Sequence, residues 1–76
     1  MKTILTELER FNVPVRKVVP MTENQVPAIH LGGTFDGVCI LIYPDHYDIV
    51  RESKDQDTKR VRGVWLLDTE LKKVMA

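Results

Sequence analysis

Gly33-Thr34-Phe35-Asp36-Gly37 runs directly into Val38-Cys39-Ile40-Leu41-Ile42-Tyr43, and Pro44 closes the run. Asp-Gly before an apolar stretch is a turn pair, because glycine takes positive φ without strain. Alternating polarity would mark a strand with one wet face, whereas six unbroken apolar or aromatic residues ask for cover on both faces. Val38–Tyr43 is therefore expected to be the central strand of a sheet.

The neighbours on either side fit a meander around it. Ala28-Ile29-His30-Leu31 reads as a strand joined to the central one through the turn from Gly32 to Gly37. Beyond Pro44-Asp45-His46, Tyr47–Arg51 reads as the antiparallel partner on the other side. Upstream, Val15–Val19 is β-branched, bracketed by Pro14 and Pro20 and carries Arg16 and Lys17, which suits an edge strand. Met21 to Pro27 reads as a loop, although Thr22-Glu23-Asn24-Gln25 has the form of a capping box.

Helices are expected at both ends. Ile4, Leu5, Leu8 and Phe11 recur at helical spacing, and Asn12 with Pro14 ends that pattern. Leu71, Val74 and Met75 form the apolar face of a second short helix, capped by Asp68 or Thr69. Glu52 to Lys59 reads as a polar loop, and Val61–Leu67 fits a strand or the start of the helix. The expected architecture is a single α+β domain over residues 1–76. An antiparallel sheet of three to five strands centred on Val38–Tyr43 is flanked by an N-terminal and a C-terminal helix.

Size and composition narrow the function classes. Seventy-six residues bury a thin core, roughly 60% of the unfolded surface. Cys39 is the only cysteine, so no disulfide forms within the chain. Eleven basic residues balance eleven acidic ones, without the basic surplus of a dedicated polyanion binder. No apolar leader or membrane-length run is present, and a soluble, cytoplasmic protein is expected.

Candidate chemistry is sparse. Gly33-Thr34-Phe35-Asp36 looks like the start of the nucleotidylyltransferase motif, but no His-x-Gly-His follows, and we reject the resemblance. Asp45-His46-x-Asp48 gathers an imidazole and two carboxylates, and His30 is a possible third arm of a small-molecule or metal site with Asp36 nearby. No spacing matches a ligand signature, so no metal, cofactor or catalytic residue is expected. Cys39, among Val38, Ile40 and Leu41, is expected to pack as a small apolar residue.

Lys59-Arg60-Val61-Arg62 is the best nucleic-acid candidate, with Lys54 adding charge and Tyr43 or Tyr47 available for stacking. The bland reading is a solvated strand face with Trp65 anchored in the core. If both helices cover one side of the sheet, the other side presents an apolar surface of the kind that meets a partner. The favoured function is thus a protein-interaction module, docking on a larger protein as adaptor, inhibitor or regulatory subunit, or pairing as a homodimer. Val18, Tyr47, Ile49, Arg60 and Arg62 are its expected contact residues. Nucleic-acid binding through Lys54, Lys59, Arg60 and Arg62, and ligand binding around His30 and His46, are the alternatives.

Overall fold

A computed structural model describes residues 2–23, 25–52 and 57–75. Helix α1 (Lys2–Arg10) leads into strands β1 (Val15–Val19), β2 (Ala28–Leu31), β3 (Val38–Ile42), β4 (Tyr47–Arg51) and β5 (Asp57–Val61), and helix α2 (Leu67–Met75) follows. Short 3₁₀ turns occupy Gly33–Phe35 and Val64–Leu66. The strands form one antiparallel sheet in chain order, β1-β2-β3-β4-β5, with β3 at its centre. The expected α+β domain with a helix at each end is the observed fold.

The end of α1 shows why the pattern stops where it does. Asn12 adopts a left-handed φ of 59°, a conformation asparagine tolerates better than branched residues. Its N–H donates to Glu9 O at 3.1 Å, and Val13 N–H reaches back to Leu8 O at 2.8 Å. This Schellman arrangement satisfies two terminal carbonyls and brings Val13 against the core beside Leu8.

Strand alternation sorts the sheet into two faces. Ile29 and Leu31 of β2, Val38 and Ile40 of β3, Tyr47 and Ile49 of β4 and Val61 of β5 meet Ile4 and Leu8 of α1 and Leu67 and Leu71 of α2 in one core. Both helices therefore cover the same face. The other face carries a row Val19–Ala28–Leu41–Asp48–Arg60 and a second row containing His30, Cys39 and Val50. Ala28 and Cys39 are nonetheless buried, because cross-strand neighbours close over small side chains in the middle of the sheet. Cys39 is buried as expected, but on the face away from the helices and outside the core cluster.

Several local expectations are corrected. The polar segment from Glu52 to Lys59 is not a loop throughout, since β5 begins at Asp57 and pairs with β4 from Arg51↔Asp57 to Tyr47↔Val61. Val61–Leu67 is neither one strand nor one helix. It is the last strand residue, a bend at Gly63, a 3₁₀ turn and the first residue of α2. That turn runs into α2 at Leu67, so Asp68 lies in its first turn and not at a cap. Trp65 is 80% exposed, not anchored in the core.

Candidate functional site

Of the five expected contact residues, Tyr47 and Ile49 lie on the helix-covered face, 3% and 1% exposed, and are core residues. Alternation puts both on the same side as Ile40, which is the side the helices occupy. Val18 is exposed on the edge strand, and Arg60 and Arg62 are exposed at the opposite edge. The five do not form one surface.

The feature that does gather exposed aromatic surface lies at the β3–β4 hairpin. Tyr43 N–H donates to His46 O at 2.9 Å, closing the turn, and the two rings stack with centroids 4.5 Å apart and planes 12° from parallel. Next to them the 3₁₀ turn carries Trp65. A cleft of about 320 Å³ opens between the two, floored by Ile4, Ile42 and Tyr47 and walled by Tyr43, Pro44 and Trp65. This volume lies at the low end of ligand-binding pockets.

Two interactions fix the turn that presents Trp65. Gly63 has φ +140°, which side-chain-bearing residues rarely adopt. Tyr47 Oη donates to Gly63 O at 2.9 Å from inside the core. Burial, and secondarily the charge of Glu70, push the Tyr47 phenol up to about 12, so it stays a proton donor at neutral pH. The indole lies on the side of Gly63 where a Cβ would stand, with most of its surface exposed.

Asp45, His46 and Asp48 are brought together, but in an arrangement unlike a chelate. His46 Nδ1 donates to Asp45 Oδ1 at 2.6 Å, while Nε2 on the other side of the ring stands 3.7 Å from Asp48 Oδ1. The imidazole separates the two carboxylates and does not converge with them on one point. Its hydrogen bond holds the Asp45 carboxyl below the usual range. His46 Nε2 and Asp48 Oδ1 are buried without a hydrogen-bond partner among the described residues. His30 sits opposite Cys39, four residues along β3 from Tyr43, so roughly 13 Å of strand separates its end of the sheet from the His46 hairpin. Asp36, in the β2–β3 hairpin, is at the His30 end. The two histidines do not share a site.

The basic residues are likewise dispersed. Arg60 Nε lies 3.7 Å from Asp48 Oδ1, and the charge of Arg62 acts on Asp45. Lys59, one residue from Arg60 on the strand, points to the opposite face. Lys54 lies outside the described residues. Each arginine thus has a carboxylate within its field, which weakens the patch for phosphate.

A third group was not anticipated. His30, Cys39 and Glu52 meet at the other end of the uncovered face. His30 Nδ1 donates to Glu52 Oε1 at 3.0 Å, and Nε2 faces Cys39 Sγ at 4.0 Å. The hairpin centre would have revealed the first pair: a turn symmetric about Thr34 and Phe35 places residue 30 opposite residue 39. Burial, reinforced by the Glu52 charge, raises the Cys39 thiol.

No protein-family model, curated protein or solved structure matches this chain. No helix among the described residues is long and apolar enough to cross a membrane.

Proposed function

We propose that this chain is a protein-interaction module whose contact surface is the Trp65 cleft, and that its first partner is a second copy of itself. The observation that carries this reading is Trp65, 80% exposed on its 3₁₀ turn and lining a cleft together with Tyr43 and Tyr47. Tryptophan and tyrosine dominate the energetic centres of protein interfaces, and pre-organised side chains bind with the least entropic cost. An exposed indole that itself lines a recess forms a patch that two copies can share about a two-fold axis, each offering the same residues to the other. The thin core of a small domain favours the same solution, since a subunit contact adds apolar burial.

Light scattering on a size-exclusion column tests the reading, with wild type and Trp65→Ala run over a range of concentrations. The expected result is a dimer for wild type and a monomer for the variant. A wild-type monomer at every concentration overturns self-association. The contact then belongs to a different protein, tested by affinity capture with wild type against Trp65→Ala. Equal behaviour of the two proteins in both experiments overturns the site altogether. Co-eluting nucleic acid that salt removes transfers the function to Lys59, Arg60 and Arg62.

A further inference from the structure

Three donors of different chemistry converge where β2, β3 and the end of β4 meet: the His30 imidazole, the Cys39 thiol and the Glu52 carboxylate, with one ligand atom from each within 4.8 Å of the others. They are the one such group of three among the described residues. We infer that His30 Nε2 and Cys39 Sγ bind a divalent cation of the zinc class, with Glu52 holding the ring and balancing charge.

The hydrogen bonding supports this division of roles. A carboxylate only accepts, so the 3.0 Å contact to Glu52 places the proton on His30 Nδ1. With Nδ1 engaged by Glu52, Nε2 is the nitrogen available as a ligand, and it is turned toward Cys39 Sγ. A carboxylate on the far nitrogen of a ligating histidine fixes its tautomer and orientation, a recurring support for metal ligands. Zinc–ligand distances of about 2.0–2.3 Å with tetrahedral angles separate an N and an S donor by about 3.5 Å. The present 4.0 Å closes to that spacing by a small movement of one side chain.

Donor type and charge point to the same ion class. Thiolate and imidazole together select zinc-like cations over magnesium or calcium, which prefer oxygen. Binding replaces the thiol proton: Cys39–SH and M²⁺ give Cys39–S⁻–M²⁺ and one H⁺ released to the buffer. The thiolate and the Glu52 carboxylate then carry two negative charges against the dication. Cys39 is on the buried side of the group and Glu52 on the exposed side, so the remaining coordination positions open to solvent. The site lies on the face away from the helices and is independent of the Trp65 cleft.

The test uses the reduced full chain with Zn²⁺ alone and Co²⁺ alone as probes. Calorimetry is expected to give one ion per chain with one proton released near neutral pH. Co²⁺ is expected to produce the intense near-ultraviolet absorption of a thiolate-to-metal charge transfer. Cys39→Ser and His30→Ala should each lower affinity by about tenfold or more, and Glu52→Gln by about ten- to a hundredfold, with unchanged circular dichroism. His46→Asn should leave binding as in wild type. No saturable binding, a Co²⁺ complex without the thiolate band, or binding lost on His46→Asn but kept in Cys39→Ser each overturns the assignment. The charge-transfer band is read on the wild-type chain, so the test stands even if a variant misfolds.

Discussion

Gly63 and Trp65 are matched across a single turn: Gly63 has φ +140°, and a Cβ there would stand 2.8 Å from Trp65 Cζ2. The absence of a side chain at one position is what leaves space for the ring at the other. Gly63→Ala is therefore expected to lose about 1–3 kcal/mol, from backbone strain and displacement of the indole. Urea denaturation measures the loss. Trp65 is the only tryptophan, so its emission reports the displacement directly. An unchanged midpoint and spectrum would show that the turn accommodates a Cβ.

Stability and association should separate at Trp65. A side chain 80% exposed contributes little to the core, and Trp65→Ala should change folding free energy by no more than about 0.5 kcal/mol. Ile40→Ala, at a fully buried site in the central strand, should cost about 2–5 kcal/mol. Paired urea titrations check both values. A large loss for Trp65→Ala would mean that the ring serves the fold and not a partner.

Tyr47 gives the fold an alkaline limit. Folding raises its phenol from an ordinary value near 10 to about 12, so its stabilising contribution is complete below pH 10. That contribution is lost as pH rises from 10 through 12. Tyr47→Phe should remove this segment of the pH–stability curve. It should also cost about 0.5–1.5 kcal/mol at neutral pH by removing one of the two donors to the Gly63 carbonyl, the Leu66 N–H at 3.1 Å remaining. An alkaline slope that persists in the variant would assign it to another group.

Cys39 should be a slow nucleophile. Its thiol is raised by burial and by the Glu52 charge, and it is 7% exposed. Alkylation by iodoacetamide at neutral pH should run about tenfold or more slower than that of a free thiol and accelerate as pH rises. Glu52→Gln removes one cause of the raised value, so it should speed the reaction. An equal rate in the variant would leave burial as the sole cause.

How much of this was legible depended on whether a residue's neighbours share its chain segment. Ile4, Leu5 and Leu8 mark α1 because the spacing of their own helix decides which side is buried. Val38–Ile42 declares itself because a central strand is apolar throughout. β5 escaped because Thr58, Lys59 and Arg60 are exposed on both sides of an edge strand, so no alternation survives, and pairing with β4 supplies the order. Trp65 escaped because size argues for burial, while the bend at Gly63 turns it outward. The His30–Cys39 pair was half legible from the hairpin centre, but Glu52 joins it only through the β3–β4 register.

The meander in which every strand pairs with its chain neighbour has a consequence for how the protein reaches its folded state. Each hairpin closes a short loop and carries little entropic penalty, so the sheet assembles from contacts close in sequence. The cleft is different, since it joins Thr3 and Ile4 to Val64 and Trp65 across about sixty residues of chain. Closing it carries a larger loop-closure penalty than closing any one hairpin. Refolding followed by tryptophan emission and by backbone signal measures that cost: emission that lags places the recess last, and coincident single-exponential signals place sheet and recess in one step.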